Sequence, residues 1–118
     1  FYSQPIAFKR DWLRIKGVNP QSLMVIYAEG DSMWPTINDH DVLLVDRSKV
    51  EPSSKHVYVL TSTDKGTIVK RLIQTPIGDW IIRSDNNEGD RYPDRLLSRS
   101  EFNEHRILGK VIWRGGDL

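Results

Sequence analysis

The chain contains no cysteine, which excludes a disulfide, a thiol nucleophile and a cysteine-bound zinc site. Its three histidines, at positions 40, 56 and 105, are scattered and give no ligand spacing for a metal. No apolar run approaches the roughly 20 residues that span a bilayer, and no signal-peptide pattern opens the sequence. A reducing cytoplasm fits the lack of cysteine and is the expected location. An excess of either charge is missing too: 17 Lys and Arg against 16 Asp and Glu leave +1. Nucleic-acid binding draws on phosphate neutralisation and usually leaves a basic footprint. The most basic stretch, Lys9, Arg10, Arg14 and Lys16, is interrupted by Asp11 and apolar residues, and it reads as a solvated helix face. Elsewhere the charges interleave, as in Asp90-Arg91-Tyr92-Pro93-Asp94-Arg95. These residues alone are not expected to bind DNA.

What is present suffices for one ordinary core. With 38% hydrophobic residues in 118, the chain needs no second domain, and 28% charged residues do not indicate disorder. Residues 1–22 read as a connector: Pro5 opposes early helix formation, a short helix is predicted over Asp11–Gly17, and Asn19-Pro20 opens a turn. Residues 23–118 read as a single globular domain. Strands are predicted at 23–28, 41–46, 56–62, 66–73, 79–84 and 106–114. Thr63–Gly66 and Thr75–Asp79 read as hairpin turns. The result is a mainly β chain. Because it opens on Phe1, a missing N-terminal region is expected.

Two segments carry chemistry. In Glu29-Gly30-Asp31-Ser32-Met33-Trp34-Pro35-Thr36-Ile37, a serine follows the apolar run Leu23–Ala28 directly. Gly30 permits backbone angles closed to other residues, and Pro35 fixes φ just beyond. Such a bend places both a hydroxyl and a backbone N–H, as a nucleophile requires, although Gly-Asp-Ser is also an ordinary turn composition. In Gly66-Thr67-Ile68-Val69-Lys70-Arg71-Leu72-Ile73, strand alternation puts Ile68, Lys70 and Leu72 on one face. Burial of Lys70 there would favour its neutral form and make it a general base. Val69 and Ile73 are apolar as well, so alternation leaves open which face is buried.

Together the segments resemble the LexA-like serine peptidase family, the C-terminal domains of LexA, phage repressors and UmuD-type polymerase subunits. Gly30–Thr36 matches its Gly-Asp-Ser-Met-x-Pro-Thr motif, and Val69–Leu72 matches its Val-Lys-Arg-Leu-like strand. Asn38–Asp46, Ser84-Asp85-Asn86 and Leu108–Trp113 also look like phage-repressor segments, so the resemblance covers roughly residues 23–115. It implies a LexA/signal-peptidase-like fold of strongly bent antiparallel sheets. It also implies Ser32 as nucleophile, Lys70 as base, and an oxyanion hole from the backbone N–H groups of Asp31 and Ser32. No cofactor is implied. The expected partners are a second copy of the chain, its own linker as substrate, and a RecA filament or an antirepressor protein, with DNA read by a missing N-terminal domain. Relatives cut at Ala-Gly or Cys-Gly, and neither dipeptide occurs here. A non-cleaving assembly module and a UmuD-type accessory protein therefore stand as alternatives.

The remaining conspicuous side chains have plainer readings. His40 lies in the polar turn Asn38–Asp41, where phage-repressor relatives commonly carry glycine, and is expected to bear unusual backbone angles. His56 and His105 fall at strand ends, without motif support for a Ser-His-Asp relay. Met33 is expected to fill core space beneath the serine loop. Internal packing is favoured for Trp34 over exposure at the cleft. Trp12, Trp80 and Trp113 read as structural, with a subunit interface as the other possibility for Trp113.

Overall fold

The computed structural model describes residues 17–62, 66–88 and 91–116. The short helix predicted over Asp11–Gly17, with Trp12, lies outside these residues except for Gly17 itself. Architecture is mainly β, as expected. Seven strands form one antiparallel sheet in the order β1-β2-β7-β3-β4-β5-β6. They are β1 (Leu23–Tyr27), β2 (Val42–Asp46), β3 (His56–Ser62), β4 (Gly66–Gln74), β5 (Trp80–Arg83), β6 (Arg95–Leu97) and β7 (Arg106–Gly115). A 3-10 turn, Pro20–Ser22, precedes β1, and the Asn19 side chain caps it by accepting from the Gln21 N–H.

All six predicted strands form, each within a residue of its expected ends. The additions are β6 and a single helical turn, α1 (Arg99–Phe102). A three-residue strand is too short for alternation to reveal. The helical turn did have a local signature: Ser98 accepts from the Glu101 N–H while the Glu101 carboxylate accepts from the Ser98 N–H. That Ser-x-x-Glu capping box is readable from sequence. Of the two predicted hairpin turns, Thr75–Asp79 closes through Gly78 N–H to Thr75 O and Thr75 N–H to Asp79 O. Residues 63–65 of the other are not among those described, but its strand ends Ser62 and Gly66 are paired.

β3 is central and buried on both faces. Val57 and Val59 belong to one apolar cluster, with Ile26, Ala28, Met33, Ile37, Leu43 and Val45. Tyr58 and Leu60 belong to a second, with Leu72, Trp80, Ile82, Leu97 and Phe102. Successive strand residues point to opposite faces, so the sheet carries one core on each side. Trp80 stacks on Phe102 at 5.3 Å between centroids, the structural role expected of it. Register shifts at Leu44/Val45 and Val59/Leu60 interrupt the pairing of β7 with its two neighbours, and such bulges increase local bend and twist. Gly109 lies between them: a Cβ there would sit 2.6 Å from Val45 Cγ1 and 2.7 Å from the Asp46 carbonyl oxygen. Only glycine allows β7 to approach β2 this closely.

Candidate active site

The serine loop leaves β1 through Ala28 and returns to β2 through Asp41. The Ala28 N–H donates to Asp41 O and the His40 N–H to Ala28 O, so the hairpin continues past the strand ends. His40 carries the left-handed backbone expected of it, with φ +68°. Gly30 has φ +84°, as its place in the bend requires, and its N–H donates to Asp39 Oδ1 at 2.8 Å. Met33 is buried beneath the loop in the first core, as expected. Trp34 overturns its expectation: it is 48% exposed, not packed internally. One side of the loop can face the core, and Met33 and Ile37 fill that side.

Lys70 emerges from the middle of β4, opposite Tyr58 on β3. The apolar residues at 68, 69 and 72 resolve which face is covered: both are. Val69 packs against the first core, whereas Ile68 and Leu72 belong to the second. Lys70 lies on the face of Ile68 and Leu72 and is half-buried. From there its Nζ donates to Ser32 Oγ at 2.8 Å. The two predicted chemical residues are thus in direct contact. The same Nζ donates to Ser84 Oγ at 2.9 Å and lies 5.9 Å from the centre of the Tyr92 ring.

Neither backbone N–H of the predicted oxyanion pair, Asp31 and Ser32, has a hydrogen-bond acceptor among the described residues. Beside them a cavity of about 190 Å³ runs between Tyr27–Gly30 and Thr67–Lys70 and is lined by both Ser32 and Lys70. β5 pairs with β4 only along Arg71–Gln74. The β4 edge at Gly66–Lys70 therefore has no strand neighbour among the described residues.

Ser84-Asp85-Asn86, which sequence marked only as a segment resembling relatives, secures the serine loop. The Asn86 N–H donates to Ser32 O at 2.9 Å, and the buried Asn86 side chain donates to Asp31 O at 2.9 Å. Asp85 accepts from Thr36 Oγ1 at 2.6 Å and, in a fork, from Arg71 Nε at 2.9 Å and Nη2 at 2.7 Å. Burial pushes the Asp85 carboxyl upward. Hydrogen bonds from Arg71 and Thr36, with the charges of Arg71 and Arg83, outweigh that and hold it below the ordinary carboxylate range. Arg71 is raised in turn, chiefly by its bond to Asp85. Tyr92 donates to the Asp31 carboxylate, lowering the Asp31 pKa and raising its own; Arg91, 3.7 Å from Asp31, adds to the first effect. No local pattern announces these partners, because each contact joins residues distant in sequence.

The histidines stay away from this site. His40 contacts Asp39 at 3.3 Å, and His56 is exposed at the start of β3. His105 stacks on Phe102 just ahead of β7. Among the described residues no cluster of three or more His, Cys, Asp or Glu could hold a metal. No described helix is long and apolar enough to cross a membrane.

The Peptidase S24-like family model matches residues 1–112. The chain belongs to the Peptidase S24-like family. Among curated proteins it is similar to an uncharacterized HTH-type transcriptional regulator of Haemophilus influenzae, with 34% identity over 102 residues. That match covers 86% of this chain and 41% of the regulator. It is also similar to the repressor protein CI of Enterobacteria phage phi80, with 30% identity over 110 residues, 92% of this chain and 44% of the repressor. The chain thus spans about two-fifths of the length of these relatives.

Proposed function

We propose that this S24 chain is the C-terminal regulatory and assembly domain of a phage-type transcriptional repressor, and that Ser32 and Lys70 form a catalytic dyad that cuts the linker to an N-terminal DNA-binding domain. The observation that carries the chemistry is the 2.8 Å contact between Lys70 Nζ and Ser32 Oγ. A neutral Lys70 accepts the hydroxyl proton as Ser32 Oγ bonds to the scissile carbonyl carbon. The N–H groups of Asp31 and Ser32 receive the resulting oxyanion, each such donor typically worth about 3–4 kcal/mol. Collapse breaks the C–N bond, the Lys70 proton leaves with the amine, and an acyl-serine ester remains. Water then attacks the ester as Lys70 takes its proton, and Lys70 returns that proton to Ser32 Oγ as the acyl C–O bond breaks and the carboxyl product leaves. The cleft between Tyr27–Gly30 and Thr67–Lys70 of β4 suits an extended segment, whose side chains can enter the cavity beside Ser32.

The repressor assignment draws on the names of the two relatives and on their greater length. Self-association belongs to the same reading. Joining two weak DNA-binding heads raises their effective concentration at paired half-sites, and cutting the linker abolishes that gain. The test is made on the full-length protein as wild type, Ser32→Ala and Lys70→Ala, incubated at pH 7 and 10 with and without activated RecA filament. Cleavage by wild type alone is expected. Intact protein in every sample, with self-association in light scattering, points instead to an assembly module released by an antirepressor.

A further inference from the structure

We infer that Ser84 is a positioning residue for the Lys70 amine. This rests on the peptidase reading above and adds to it a third side chain. A neutral amine has one lone pair and two N–H donors. To serve as base its lone pair must point at Ser32 Oγ, and rotation about Cε–Nζ otherwise spreads it over all directions. Ser84 Oγ, 2.9 Å from Nζ, accepts one of the N–H bonds. With Ser32 Oγ at 2.8 Å on the same nitrogen, that contact selects the rotation in which the lone pair faces the nucleophile. A neutral hydroxyl achieves this without the ion pair a carboxylate would form, which would hold the lysine charged.

Placement supports an anchoring role over contact with substrate. Ser84 follows β5 directly, and the next two residues clamp the serine loop, so one short segment fixes both reacting groups. Lys70 lines two cavities. The 190 Å³ cleft contains Ser32 but not Ser84; a second cavity of about 240 Å³ contains Ser84 and Tyr92 but not Ser32. A peptide filling the cleft therefore leaves the Ser84–Lys70 bond in place. The titratable groups lining these cavities with Lys70 are Tyr27, Glu29, Arg91, Tyr92, Asp94 and Arg95, and Tyr58 pairs across from it on β3. Asp94 is engaged by Arg83 at 2.7 Å, and Arg91 lies 3.7 Å from Asp31.

The experiment compares self-cleavage of the full-length protein across pH 6 to 10 for wild type, Ser84→Ala, Ser84→Thr and Ser84→Asp, with thermal unfolding of each. Labelling of Ser32 by a fluorophosphonate, followed by intact mass, gives a readout independent of the linker. Ser84→Ala is expected to slow both reactions about 10- to 100-fold through misorientation of the base. Ser84→Thr, which keeps the hydroxyl, restores them to near wild type. Ser84→Asp moves the midpoint of the pH profile up by about 1 unit or more, because the new carboxylate favours the ammonium. A merely structural Ser84 would alter the melting temperature and leave the pH profile unmoved. Ser84→Ala at the wild-type rate, or Ser84→Asp with the wild-type profile, overturns the inference while the peptidase reading stands. A wild type inert in both reactions overturns both.

Discussion

Ser32 and Lys70 meet at one point but are held there in different ways. Lys70 is fixed by the sheet: β4 pairs with β3 along Gly66–Leu72, and apolar neighbours anchor both faces of the strand. Ser32 rides on a loop whose position depends on polar contacts with Asp85 and Asn86 and on Met33 as its apolar plug. Apolar packing tolerates substitutions of similar size, whereas a buried polar clamp loses the full desolvation penalty of whatever is left unpaired. The serine arm should therefore be the more fragile of the two, although the proposed mechanism draws equally on the lysine arm.

Substitutions can separate these arms. Lys70→Ala is expected to lower self-cleavage by about 10²–10⁴-fold, the range for losing a general base, with little change in melting temperature. A large fall in stability would mean that the amine holds the sheet together. Asp85→Asn should act the other way: it leaves Arg71 and Thr36 without their carboxylate and costs about 2–3 kcal/mol in urea unfolding, because the pair is largely but not wholly buried. Cleavage should slow with it as the loop drifts. Asn86→Ala removes the donor to Asp31 O and is expected to cost about 1–2 kcal/mol, a typical penalty for an unpaired buried acceptor. If both clamp variants unfold like wild type, the contrast between the arms is lost.

Acid should expose the same clamp. The Asp85 pKa is lower in the folded than in the unfolded chain, so its contribution is full above the ordinary value of 3.8 and fades as pH falls through the lower folded value. Unfolding midpoints measured from pH 6 down to 2 should drop for wild type and flatten for Asp85→Asn below about pH 4. The smallest effect belongs to Tyr92→Phe. NMR titration should find the Asp31 carboxyl below the ordinary range in wild type and closer to it in the variant, since the Tyr92 hydrogen bond is the main cause of the shift.

The same contrast explains which features are legible in the sequence alone. Strand alternation placed Ile68, Lys70 and Leu72 together, and Gly30 and His40 marked where the loop needs left-handed backbone. Resemblance to a family then paired Ser32 with Lys70, a meeting that periodicity alone does not predict. Which face of β4 is covered was ambiguous because both are. The exposure of Trp34 is not legible there, because aromatic character says nothing about which side of a loop faces the core. Asp85, Asn86, Arg71 and Tyr92 gave no local signal of their roles, since each contact depends on chain segments folding back from afar. β6 was too short to show a period, and its apolar pair is divided, with Leu97 buried and Leu96 exposed.

The base role of Lys70 is tested most directly by the pH dependence of first-order self-cleavage in the full-length protein. A single amine that must lose its proton before accepting one from Ser32 predicts a rate rising about tenfold per pH unit from pH 7, levelling on the alkaline side, and falling by about 10²–10⁴-fold in Lys70→Ala. A rate that is flat from pH 7 to 10, or equally fast in Lys70→Ala, contradicts it.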